Sequence, residues 1–186
     1  MRKCAVFSLA LLAALTFMHP KAVSAQGIYV GAGFTVPTGK FKDFGDGDGA
    51  KNGVMGVAGV TYPINEDGLS LFGEGYFGVN NHEFTGDKTN LYGAMGGVEI
   101  DFSPEGEPGL YAFGGAGLMV HSYKSDDFPE YEDSNTGLGL VGGAGYSLPV
   151  GPATGWAEGR YMFGKFDGGN TTFFGIFAGL AFPIGG

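Results

Sequence analysis

The sequence holds a single cysteine, Cys4, and only 10 lysines and arginines against 19 acidic residues. Beyond residue 25 it contains no long run of uninterrupted apolar residues. Each scarcity excludes something. One thiol cannot form an internal disulfide, so stability has to come from elsewhere. The acidic excess argues against nucleic acid as a partner, because phosphates call for a basic surface. A transmembrane helix needs about 18 or more consecutive apolar residues, and none is found after the leader. No group of His, Cys, Asp and Glu has metal-ligand spacing, and no cofactor is expected.

The first 25 residues read as a cleavable secretory signal peptide. Arg2 and Lys3 supply a positive start, Cys4 to Met18 form an uncharged apolar run, and Val23-Ser24-Ala25 places small residues before a cut between Ala25 and Gln26. The apolar run is too short to span a bilayer. The expected division is therefore a signal peptide over 1–25 and one domain over 26–186. Cleavage removes Cys4, Arg2, Lys3 and Lys21, leaving seven bases against 19 acids, a net charge of −12.

All 38 glycines lie in residues 26–186, mixed with phenylalanine and tyrosine. There is no Gly-X-Y period, and 44% hydrophobic residues are too many for simple disorder. Glycine this dense opposes long helices, which leaves an all-β chain. Segments of about ten residues alternate with period two. Ile28, Val30, Ala32, Phe34 and Val36 share one face, and Tyr29, Gly31, Gly33 and Thr35 the other. Leu69, Leu71, Phe77 and Val79 oppose Ser70, Glu74, Tyr76 and Asn80, and Tyr92, Ala94, Val98, Ile100 and Phe102 oppose Glu99 and Asp101. Ala157, Tyr161 and Phe163 oppose Glu158 and Arg160, and Phe174, Ile176, Ala178, Leu180 and Phe182 lie together. The fifth and eighth segments are apolar on both faces, which leaves their parity open.

Eight such strands are predicted. Long polar connections at 37–52, 80–88, 122–135 and 165–171 alternate with short ones at 63–68, 103–108 and 149–154. That rhythm suits an antiparallel meander of hairpins. Pro63, Pro149 and Pro183 recur where even strands should stop, since proline cannot donate to the ladder.

A β-protein crosses lipid only if its sheet closes and satisfies every backbone group. The apolar faces then point outward, ending in aromatic rows: Phe34, Phe77, Tyr92, Phe163 and Phe174 near one rim, Tyr62, Phe102, Tyr146 and Phe182 near the other. Glu74, Glu99, Glu158 and Arg160 fall on the enclosed face, where they can form an ion-pair cluster. An eight-stranded barrel has an interior just wide enough for side chains, so the main reading of this cluster is structural. The lesser one is a narrow, cation-attracting passage.

With its leader, its hairpin rhythm and a last strand ending in Phe174, Ile176, Ala178, Leu180 and Phe182, the chain resembles the small outer-membrane β-barrel family of OmpA-barrel, OmpX and opacity-protein type. The resemblance implies a closed eight-stranded up-and-down barrel in the bacterial outer membrane. Its implied partners are membrane lipid, lipopolysaccharide, the barrel-insertion machinery and an extracellular ligand met through the loops. One departure stands out: Pro183-Ile184-Gly185-Gly186 follow the final aromatic, where family members usually end.

Little in the sequence points to chemistry, and the chain reads as non-enzymatic. Asp43, Asp46 and Asp48 fail the EF-hand spacing, since Ala50 and Lys51 follow. Asp126, Asp127, Glu130, Glu132 and Asp133, interleaved with Phe128 and Tyr131, read as a hydrated loop able to collect cations. His121-Ser122 is similar to the His and Ser of outer-membrane lipid A deacylases, but adjacent strand residues point to opposite faces. Two alternatives follow: a lipid A-modifying enzyme centred on His121, and a soluble lipocalin-like barrel with its faces reversed.

Overall fold

The computed structural model describes residues 26–42, 49–65, 67–83, 87–103, 107–125, 132–167 and 169–184. The proposed leader and the Ala25 side of its cleavage site lie outside these residues, and Gln26 opens the first strand. Eight strands follow in order: β1 (Gln26–Thr38), β2 (Ala50–Pro63), β3 (Leu69–His82), β4 (Asp87–Asp101), β5 (Gly109–Ser125), β6 (Asp133–Val150), β7 (Ala153–Phe166) and β8 (Gly169–Ile184). A 3-10 turn, Gly39–Phe41, follows β1.

Each strand pairs antiparallel with the next, and β1 pairs with β8 from Gln26↔Ile184 to Thr38↔Thr172, closing the barrel. Closure is the physical requirement: with no free edge, no strand leaves a row of N–H and C=O groups facing hydrocarbon. Among the described residues no helix is long and apolar enough to cross a membrane. A closed sheet of this kind can cross lipid with strands instead. Both termini of the barrel and the connections 64–68, 102–108 and 151–152 lie at one end, called the inner end here, and the other connections lie at the outer end.

Alternation places the large apolar residues outside. Phe34, Leu118 and Ile176 are 71%, 61% and 63% exposed, an arrangement that water would penalise and lipid accepts. The aromatic rows form on this surface, with Phe77 stacked on its ladder partner Tyr92 at 6.4 Å. β5 turns Leu110, Ala116 and Leu118 outward and Tyr111 and Met119 inward, which settles the parity the sequence leaves open. β8 buries Phe173 and Phe177 while exposing Phe174 and Ile176.

The connections differ from the sequence expectation. The outer ones shrink to 83–86 and 167–168 after β3 and β7, while the inner one after β4 spans 102–108, so long and short do not alternate strictly. The reason lies in polar strand ends. Asn81↔Lys88, Lys88↔Lys124 and Ser122↔Ser134 remain in the ladder beyond the apolar band. Apolar patterning marks where the membrane stops, whereas backbone pairing continues into water. Likewise β6 and β8 run one residue past Pro149 and Pro183, although β2 stops at Pro63.

The lumen is filled in two tiers. Met55, Leu91, Met119, Met162 and Phe173 are almost wholly buried in the outer half, and Phe41 of the 3-10 turn folds in above them, 3% exposed. Rings occupy the inner half, and inward glycines make room for them. A Cβ at Gly59, Gly97, Gly143, Gly145 or Gly31 would lie 2.3 to 2.8 Å from Tyr29, Phe72, Phe113, Tyr111 or Trp156 respectively. Much of the glycine content therefore serves to seat large side chains against the barrel wall.

Candidate functional site

The polar centre of the lumen is built around Arg160. Period two puts Glu158 and Arg160 on the same inward face of β7, and Glu74 points inward from β3, four strands away in either direction. The guanidinium therefore spans the barrel. Its Nη1 donates to Glu74 Oε1 at 2.8 Å, its Nε donates to Glu158 Oε1 at 2.7 Å, and its Nη2 also donates to that oxygen. The remaining carboxylate oxygens are satisfied by hydroxyls: Tyr29 donates to Glu74 Oε2 at 3.0 Å and Tyr111 to Glu158 Oε2 at 2.8 Å. Phe177 and Phe113 lie 4.6 and 5.3 Å from the guanidinium carbon. Side-chain exposures of 2% for Arg160 and Glu74 and 6% for Glu158 make this a desolvated network. Such a network is tolerable because each charge has its partners.

Below the network, toward the inner end, lies a cavity of about 470 Å³. Glu99, Asp101 and Glu107 line it together with the underside of the Arg160 network, and Trp156 stands in its wall. Above the network, His121 contacts Phe41 and Phe166 at centroid distances of 5.8 and 5.7 Å. Among the described residues, no group of three or more His, Cys, Asp or Glu side chains could hold a metal ion.

A family model for the outer membrane protein beta-barrel domain matches residues 7–182. The chain belongs to this family. It is thus an outer-membrane barrel, and its location is the bacterial outer membrane. Among solved structures it is similar to Neisserial surface protein A, with a TM-score of 0.67 and 18% identity over 88% of this chain and 100% of that one. It is also similar to Ail, the attachment invasion locus protein of Yersinia pestis, with a TM-score of 0.55 and 19% identity over 86% of this chain and 100% of that one. Ail in complex with the heparin analogue sucrose octasulfate gives a TM-score of 0.53 at 19% identity, covering 85% and 99%. At these identities the likeness speaks for the fold. No curated protein matches the chain.

Within this outer-membrane barrel, the structure brings Glu74, Glu158 and Arg160 into direct contact. Glu99 lies on the same enclosed surface, but its side chain forms no hydrogen bond or ion pair among the described residues, and its ladder partners are Ser70 and Phe113. Sequence reasoning missed Tyr111, because β5 is apolar on both faces, and Phe41, because a lone aromatic in a connection has no periodicity to reveal it. His121 points into the lumen and Ser122 lies on the opposite face, so the pair cannot share a proton over a lipid substrate. Asp43, Asp46, Asp48, Asp126, Asp127 and Glu130 lie outside the described residues, while Glu132 and Asp133 are exposed.

Proposed function

We propose that the protein is a non-enzymatic, non-conducting outer-membrane barrel whose role lies in what its outer rim presents to the surroundings. The observation that carries this reading is the doubly closed lumen. Phe41 and the apolar tier beneath it seal the outer half, and the Arg160 network crosses the middle. A conducting path would need a continuous wet lumen, which an eight-stranded wall filled this way leaves no room for. His121, the best handle for an enzyme, is held between the rings of Phe41 and Phe166, and its neighbour Ser122 lies on the opposite face of β5. The soluble lipocalin-like alternative would require the charges outside.

The outer connections and strand ends hold 11 acidic residues against six lysines. The sulfated ligand of the Ail complex is therefore a poor guide here, and a cationic or cation-bridged partner suits this rim better. Lipopolysaccharide, lipid and the insertion machinery are the remaining partners in this reading. The proposed leader over 1–25 fits export to that membrane.

The test is paired. Purified protein in a planar bilayer should show no unitary conductance above leak. Single cysteines replacing Lys42 or Asp167 should react with an impermeant maleimide on intact cells, whereas one replacing Gly151 should react only after permeabilisation. Steady single-channel events, or labelling of position 151 on intact cells, would contradict the proposal.

A further inference from the structure

Charge on the barrel strands is sorted by face. Among the described residues, every acid within a strand belongs to the inward set: Glu74, Asp87, Glu99, Asp101, Asp133 and Glu158. The lysines of β4, β5 and β7 take the other face. By alternation Lys88 shares its face with Tyr92, Lys124 with Leu118 and Lys165 with Tyr161, all three of which stand exposed on the lipid wall. The remaining strand lysine, Lys51, sits in the irregularity of β2 between Ala50 and Gly53. A chain with 19 acids against 10 bases thus turns only basic charge outward where β4, β5 and β7 leave the apolar band.

Two of these lysines are ladder partners. Lys88 and Lys124 lie directly opposite each other, an arrangement that repels by itself and that a shared anion turns into an attraction. Asn81 of β3 continues the same rung. The next outward rung toward the membrane carries Asn90 and its partner Ser122, with Ser134 beside them. Below that, Phe77 stacks on Tyr92. Read upward from the hydrocarbon, the wall is aromatic, then amide and hydroxyl, then paired ammonium. That order matches a lipid whose acyl chains lead into a sugar bearing phosphate.

We propose that the outer border of β3–β6 is a docking site for a phosphorylated glycolipid of the outer leaflet, lipopolysaccharide. One phosphate lies between Lys88 and Lys124, and sugar hydroxyls meet Asn90, Ser122 and Ser134. Lysine takes phosphate as a point charge, and amides and hydroxyls both donate and accept, as sugar hydroxyls require. Basic side chains just beyond the apolar band also draw anionic headgroups generally, but a phospholipid without a sugar leaves the amide and hydroxyl rung unused. The inference rests on the outer-membrane reading above and gives one of its partners a place on the wall. Closure of the lumen plays no part in it. A conducting barrel would leave the site standing, and loss of the site would leave the sealed lumen and the exposed rim as they are.

The folded barrel in detergent micelles is titrated with three lipids, and bound lipid is counted by native mass spectrometry. The lipids are lipid A carrying both phosphates, lipid A stripped of both, and phosphatidylglycerol. The proposal expects saturable binding of phosphorylated lipid A, with the other two about tenfold weaker or more, the scale of a lost charge-assisted contact. Lys88→Gln combined with Lys124→Gln should weaken phosphorylated lipid A by about the same factor. Lys40→Gln combined with Lys42→Gln makes the same change in net charge away from this wall and should not. Equal affinity for the stripped lipid or for phosphatidylglycerol would overturn the proposal. So would unchanged binding in the Lys88 and Lys124 variant, or an equal loss in the Lys40 and Lys42 variant. If the wall variant loses the heat-modifiable folded band, the three lipids decide on the natural chain: a preference for phosphorylated lipid A supports the site and no preference overturns it.

Discussion

At the scale of single residues, the lumen shows how one guanidinium organises an interior. Arg160 holds Glu74 and Glu158 from strands on opposite sides of the barrel, and two tyrosine hydroxyls complete the carboxylates. Arg160→Met leaves two buried carboxylates without a cation and should lower stability by about 3–5 kcal/mol, read as the urea midpoint in micelles. Replacing Arg160, Glu74 and Glu158 together with apolar residues should be far milder, because no charge is then stranded. The glycines make a second contrast. A Cβ on Gly59 would sit 2.5 Å from both the Gly73 carbonyl oxygen and the Tyr29 ring, whereas one on outward-facing Gly73 meets nothing within 4 Å. Gly59→Val should cost about 1–3 kcal/mol by overpacking, and Gly73→Ala should leave the unfolding midpoint nearly unchanged. Glu74, Glu158 and Arg160 were readable as inward because β3 and β7 alternate cleanly. Tyr111 was not, since both faces of β5 are apolar and period two has nothing to distinguish.

At the scale of elements, the strands were readable and their outer limits were not. The patterning of β1 and β4 identifies the lipid face residue by residue, since a slip by one would expose the other set. The ladder, however, extends through Asn81, Lys88 and Ser122, whose side chains carry no apolar signal. The 3-10 turn after β1 is the other element that patterning hides. Its Phe41 closes the outer end over His121. Phe41→Ala should lower stability by about 3 kcal/mol, toward the lower end of aromatic truncations. It should not open a conductance, because the Arg160 network still crosses the lumen below. Urea unfolding and bilayer recording on the same variant check both halves of that expectation.

At the scale of the whole molecule, the barrel inverts the usual distribution of a soluble protein: its large apolar side chains cover the outside, and its polar network and a second apolar tier fill the inside. On β5, Ala116 lies between Leu110 and Val120 on the outer wall, near mid-height. Ala116→Arg there should cost about 2–4 kcal/mol in lipid, the depth-dependent penalty for a basic group at the midplane. The most direct test reads this wall one residue at a time. Single nitroxide labels placed from Ala116 to Val120 in residues 26–186, which hold no cysteine, and refolded into lipid vesicles report collision with oxygen, which concentrates in hydrocarbon. An outward apolar face on a closed barrel predicts high oxygen accessibility at 116, 118 and 120 and low accessibility at 117 and 119. A flat profile, or maxima at 117 and 119, would contradict it.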